Sequence, residues 1–189
     1  MEKKLFLLIL LLFSLLSLCQ SESAPANDVV QRSCKQAATR DPYVDYKLCV
    51  EALRANPKAR NGAFKDLVLV SIDQAKANAT EIGSEISEIL KGSGKWGTKP
   101  KTKTKYSLDC LRSCLELYSE AVSDLKSAVS AVKMEDYETA KVEVSAAIDA
   151  PVSCEDGYKE KDGEVSPLTE KNDVFFHLAA ISLAFVDMC

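Results

Sequence analysis

The sequence contains one histidine, His177, among 189 residues. That scarcity argues against most nucleophilic catalysis, because a serine or cysteine nucleophile needs a base beside it. His177 stands between Phe176 and Leu178 within a stretch of helical spacing, which suits packing or surface exposure better than chemistry. No Cys-x-x-Cys pair occurs, so a structural zinc site fits poorly. No Glu-x-x-His pair is present of the kind that helical bundles use to hold metals. There is no glycine-rich phosphate loop. Glu155-Asp156 offers two acids, but adjacent helical residues point in different directions, so exposed or capping positions beside Gly157 are expected. The formal charge is only −4, which supplies no electrostatic attraction to nucleic acid or anionic membrane. The expectation is therefore a protein without catalytic residues, metal or cofactor.

Long apolar runs are also scarce. One occurs, Leu5 to Leu18, preceded by Lys3 and Lys4 and followed by small or polar residues to Ala24. It is shorter than the roughly 20 residues a membrane-spanning helix needs. A basic start, a short apolar centre and a small-residue exit make residues 1–23 a signal peptide. The remaining 24–189 form one domain, and the protein is expected to be secreted and extracellular. Cleavage between Cys19 and Ala24 removes Cys19 and leaves Cys34, Cys49, Cys110, Cys114, Cys154 and Cys189. In an oxidising compartment disulfides are the default reading of such a set. Asn78-Ala79-Thr80 is an N-glycosylation sequon, usable if Asn78 faces solvent.

Glycine and proline are few and cluster at Gly92, Gly94, Gly97 and Pro100, and again at Gly157, Gly163 and Pro167. Between the clusters, apolar residues recur every three or four positions, the period of a buried helix face. Phe64, Val68, Ile72, Ala75, Ala79, Ile82, Ile86 and Ile89 define a helix from about Ala63 to Leu90. Asn78 lies one position off that stripe. The lysine-rich stretch from Lys91 to Lys105 reads as a solvated loop. Leu108, Leu111, Leu115, Tyr118, Val122, Leu125, Val129 and Val132 form a heptad-like seam on a second helix, about Ser107 to Val132. A third helix begins near Asp136, with Tyr137, Ala140, Val144 and Ile148 on one face, and Pro151 should kink or interrupt it. A fourth opens at Ser166-Pro167, serine at the N-cap and proline at the first position, with Phe175, Leu178, Ser182 and Phe185 as its seam. A shorter helical pair, Asp28 to Thr39 and Tyr43 to Ala55, precedes them, broken at Asp41-Pro42 and ended by Asn56-Pro57.

The cysteines agree with this layout. Cys34 and Cys49 are equidistant from the Asp41-Pro42 break, and Cys114 and Cys154 are equidistant from Met134, in the turn between helices two and three. Residues equidistant from the turn of an antiparallel hairpin face each other. This favours 34–49 and 114–154 over the other pairings, including any with Cys110–Cys154. Cys110 and Cys189 would sit at opposite ends of parallel helices in an up-down-up-down bundle, tens of Å apart by the rise of about 1.5 Å per residue. No bridge joins them within one molecule, although Cys189 is available to link two chains.

Several motifs together resemble the plant invertase/pectin methylesterase inhibitor family. They are Val30…Cys34…Thr39…Pro42…Cys49-Val50…Leu53…Asn56-Pro57, Leu111…Cys114-Leu115-Glu116-Leu117-Tyr118, and Asp136-Tyr137…Ala140…Ser145-Ala146-Ala147. Ser153-Cys154-Glu155-Asp156-Gly157-Tyr158 and Ser166-Pro167-Leu168-Thr169…Asn172…Leu178 complete the set. The likeness is strongest to the invertase-inhibitor branch of the plane-tree pollen allergen type. It implies an all-α, up-down-up-down four-helix bundle with an N-terminal α-hairpin and two disulfides. It also implies an extracellular protein of the apoplast or cell wall that blocks the active site of one enzyme molecule, an invertase or a pectin methylesterase. Invertase inhibitors of this family are similar in a Pro-Lys-Phe segment between helices two and three that enters the target, whereas its pectin methylesterase inhibitors, among which an Asp-Tyr form is common, present a helical face across the enzyme's cleft. The matching stretch here is Met134-Glu135-Asp136-Tyr137, which keeps the aromatic residue and replaces proline and lysine by acids. Carboxylates facing the acids of an invertase pocket would weaken insertion. Equally, acids there favour the helix dipole. Glu135, Asp136 and Tyr137 are the candidate target-binding residues. Two other classes remain: a carrier of a small apolar ligand, against which the space-filling Leu, Ile and Val seam argues, and a signalling or storage bundle, dimeric through Cys189.

Overall fold

A computed structural model describes residues 27–92 and 104–189, and all regular structure among them is helical. The signal-peptide reading of residues 1–23 and most of the expected Lys91–Lys105 loop lie outside the described residues. In chain order the helices are α1 (Asn27–Arg40), α2 (Tyr46–Arg54), α3 (Pro57–Asn61), α4 (Phe64–Leu90), α5 (Lys105–Lys133), α6 (Tyr137–Lys159) and α7 (Thr169–Val186).

Helices α4 to α7 form the bundle, each packed on two neighbours in a closed ring. Their alternating direction follows from what meets at each end. Phe64 at the start of α4 lies 5.7 Å, ring to ring, from Phe185 at the end of α7. Lys171 near the start of α7 pairs with Glu85 near the end of α4 at 2.6 Å. Lys141 near the start of α6 pairs with Asp187 just after α7 at 2.6 Å. The arrangement is up-down-up-down. From Val68 to Ile89 every residue of the expected α4 stripe is buried, and Leu111, Tyr118, Leu125, Val129 and Val132 of the α5 seam are buried too. Leu108, Leu115 and Val122 are only half-buried, because the true buried face of α5 is turned toward Cys114, Ala121 and Ala128. Each fully buried Leu or Ile is worth about 1.5–3 kcal/mol.

One expected boundary, the start of α7, is corrected, and two others gain detail. Pro151 does not interrupt α6, which runs unbroken to Lys159. Proline forfeits one backbone hydrogen bond. The segment beyond it is held by the Cys114–Cys154 bridge and by Tyr158, whose hydroxyl donates to Ser107 O at 3.1 Å. Helix α7 starts at Thr169, later than expected. Ser166 Oγ instead accepts from the Leu168 N–H at 3.1 Å and caps a turn ahead of the helix. Asn56-Pro57 ends α2 but also begins α3: Asn56 Oδ1 accepts from Lys58 N–H at 3.0 Å, with proline in the first turn.

Both bridges inferred from symmetry are present. Cys34–Cys49 joins α1 to α2 with Cα atoms 5.8 Å apart. Cys114–Cys154 joins α5 to α6 with Cα atoms 5.0 Å apart. Cys110 and Cys189 are free thiols. The hairpin of α1 and α2 docks on α7: Tyr43 meets Phe176 edge-on at 5.4 Å. The Tyr43 carbonyl lies 2.7 Å from His177 Nδ1. A carbonyl only accepts, so Nδ1 carries the proton, and the lone histidine is an anchor for the hairpin.

Candidate functional site at the turn between α5 and α6

Helix α5 ends in a tight double hydrogen bond. The Asp136 N–H donates to Ala131 O at 3.0 Å and the Glu135 N–H donates to Val132 O at 3.1 Å. This pattern requires a left-handed residue just past the helix, usually glycine. Here it is Glu135, with φ of 63°, the one non-glycine residue in that region among the described residues. The left-handed backbone costs a side-chain-bearing residue about 1–2 kcal/mol.

The strained residue is held from across the fold. Lys65, in the first turn of α4, donates from Nζ to Glu135 Oε1 at 3.0 Å and to Lys133 O at 3.3 Å. One ammonium thus satisfies a carbonyl left open at the end of α5 and pins the strained residue. The Glu135 carboxylate in turn holds the Lys65 pKa above its ordinary value. The next residue, Asp136, caps α6 by accepting from the Thr139 N–H at 3.1 Å. Hydrogen bonds from Thr139 lower the Asp136 pKa below the usual carboxylate range. Both acids therefore have structural partners, while their side chains stay exposed to solvent.

What the turn does present is Met134, 74% exposed. Tyr137 is half-buried and packed on the core. Cys189 sits at the same end, its thiol donating to Phe185 O at 3.6 Å, and burial pushes its thiol pKa up. The site thus consists of an apolar tip on a turn closed from three helices. Glu135, Asp136 and Tyr137 are all in it, but the first two act on the turn itself. Lys65 and Met134 were not singled out from sequence. Lys65 is 70 residues from Glu135; the available signal was that the start of α4 and the end of α5 share one end of an up-down bundle.

At the opposite end, Cys110 is half-buried with its thiol 3.5 Å from Gly157 O, and desolvation raises its pKa. Glu155 differs from expectation. It is half-buried and accepts from Asn172 Nδ2 at 2.6 Å and from the Thr169 hydroxyl at 3.2 Å. Asn172 Oδ1 receives the Tyr118 hydroxyl at 2.6 Å, completing a network beside the Cys114–Cys154 bridge. Asp156 is exposed and pairs with Lys159 at 2.9 Å. Asn78 lies in mid-helix, half-buried, with Oδ1 buried and without a hydrogen-bond partner. No group of acids, cysteines and histidine that could hold a metal occurs among the described residues. No helix among them is long and apolar enough to cross a membrane.

The fold is a disulfide-stapled four-helix bundle with an α-hairpin arm. The chain belongs to the plant invertase/pectin methylesterase inhibitor family, whose model matches residues 28–185. It is 39% identical over 183 residues to a "Putative invertase inhibitor" of Platanus acerifolia, covering 97% of this chain and 96% of that protein. It is 33% identical to "Pectinesterase inhibitor 12" of Arabidopsis thaliana, covering 97% and 98%. A crystal structure of a mutant pectin methylesterase inhibitor from Arabidopsis superposes with a TM-score of 0.63 at 23% identity, covering 81% and 96%, and supports the fold. The family and these relatives are inhibitors and not enzymes.

Proposed function

We propose that this protein is a secreted inhibitor of one plant cell-wall carbohydrate enzyme, an acid invertase or a pectin methylesterase, and that it acts by one-to-one steric blockade. The α5–α6 turn, residues 134–137, is the element that enters the target, with Met134 as its apolar anchor. The observation that carries this reading is a strained, hydrogen-bonded turn that leaves a large apolar side chain 74% exposed in a chain of an inhibitor family. A preorganised apolar anchor loses little freedom on binding. Because Glu135 and Asp136 are internally paired, the like-charge penalty expected from their sequence is smaller than for free carboxylates. The leader-like residues 1–23 and the two disulfides support passage through an oxidising secretory route.

The test is a titration of the oxidised mature protein against cell-wall invertase and pectin methylesterase, at acid and neutral pH. Stoichiometric loss of one activity, abolished by Met134→Asp, is the expected result. Absence of inhibition of either enzyme refutes the proposed function. Full inhibition by Met134→Asp refutes the turn as the contact.

A further inference from the structure

Lys65 has no sequence neighbour in the turn and belongs to a different helix, yet it makes both of the long-range bonds that hold the turn. Its ammonium reaches Lys133 O at 3.3 Å and Glu135 Oε1 at 3.0 Å. The residue it grips is the left-handed glutamate, φ 63°. A glycine there would serve the helix end without strain. A strained residue persists where its surroundings over-determine it, and such residues cluster at functional positions. The Lys65 side chain is 34% exposed and that of Glu135 is 71% exposed, so this pair contributes little to global stability. Its consequence is local: it fixes the turn from which Met134 projects.

We infer that Lys65 is a positioning residue of the inhibitory tip, which acts through Glu135 to hold residues 133–136 in the binding conformation. This rests on the proposed function, with the α5–α6 turn as the contact. Lys65 need not touch the target. By keeping the turn in one conformation before encounter it lowers the ordering cost of binding, and its loss accelerates dissociation.

The experiment measures inhibition constants and dissociation rates for the full oxidised protein and for Lys65→Ala, Lys65→Arg, Glu135→Ala, Lys65→Ala/Glu135→Ala and Met134→Asp, with thermal midpoints alongside. The expected result is that Lys65→Ala and Glu135→Ala each weaken inhibition by about three- to fivefold, the most that a solvent-exposed pair can contribute to holding the turn. The double variant should be no weaker than either single, because the two residues act as one unit. Lys65→Arg, which keeps a donor, should recover most of the loss, and all variants should stay folded with midpoints near wild type. Wild-type inhibition by Lys65→Ala, while Met134→Asp is inactive, overturns the inference and leaves the turn standing as the contact. Additive effects overturn it too, since Lys65 would then be a direct contact. If the wild-type protein inhibits neither enzyme, the proposed function falls and this inference with it.

Discussion

The hydrogen-bonded group at Tyr118, Asn172 and Glu155 supports a double-mutant test of what holds α7 in the bundle. Tyr118 is fully buried and Asn172 is 2% exposed. The Tyr118 hydroxyl donates to Asn172 Oδ1 at 2.6 Å, and Asn172 Nδ2 donates to Glu155 Oε1 at 2.6 Å. Burial and the nearby Glu155 carboxylate raise the Tyr118 pKa well above its ordinary value, so the hydroxyl is a donor at every working pH. Tyr118→Phe keeps the ring against Phe175, 5.3 Å away between centroids, and removes only the donor. It leaves a buried amide oxygen unpaired, which costs about 1–3 kcal/mol. Asn172→Leu leaves both the Tyr118 hydroxyl and the Glu155 carboxylate short of a partner and should cost more, about 2–4 kcal/mol by the same reasoning. The double variant removes both ends of the Tyr118–Asn172 bond, so its loss should fall short of the sum by about 1–2 kcal/mol. Urea unfolding of the oxidised protein followed by circular dichroism at 222 nm measures all three. A thermal scan should show about 2–4 °C per kcal/mol for a chain of this size. A neutral Tyr118→Phe, or losses that simply add, would refute the claim that this group works as a unit.

Four further outcomes are expected. Cys114 and Cys154 are 40 residues apart and Cys34 and Cys49 are 15 apart; chain-entropy reasoning assigns the bridges about 4 and about 3 kcal/mol, so Cys114→Ser/Cys154→Ser should lower the unfolding midpoint more than Cys34→Ser/Cys49→Ser. The Asp124 pKa is raised by burial, then by Glu143 and Glu120. The folded state thus binds the Asp124 proton more tightly than the unfolded state, and this group's contribution favours folding at acid pH and declines as pH rises through the carboxylate range; Asp124→Asn should therefore raise the midpoint at pH 7 more than at pH 4. The Asp136 pKa is lowered by Thr139, so its contribution has the opposite sign: it is present above the ordinary carboxylate pKa and lost as pH falls through the folded value. Asp136→Ala should lower the midpoint at pH 7 and much less at pH 2, read in the same scans. Finally, His177→Ala removes the Nδ1 hydrogen bond to Tyr43 O and should increase amide exchange in α1 and α2 while leaving α5 and α6 protected.

The bundle was legible because its information is periodic and local. Buried faces recur every three or four residues, and positions equidistant from a turn must meet; that is enough to pair Cys34 with Cys49 and Cys114 with Cys154. The errors occurred where a local rule lost to a tertiary contact. Pro151 reads as a kink or a break, and the helix runs on through it, held beyond by the bridge at Cys154 and the Tyr158 hydrogen bond. Ser166-Pro167 reads as a helix start, yet the serine caps the preceding turn. The site shows the same division. The α5–α6 turn as a candidate follows from topology and from the family resemblance, but the contacts made by the residues within it do not. Glu135 and Asp136 read either as charges offered to a partner or as acids at a helix N-terminus, and each has a bond within the chain, one to Lys65 and one to Thr139. A positive φ leaves no trace in a sequence when the residue is not glycine, and an ammonium that reaches across 68 residues to a carbonyl leaves none either. The charge pattern of residues 134–137 therefore describes the turn only in part; the shape held by Lys65 and the exposed Met134 are visible in the structure alone.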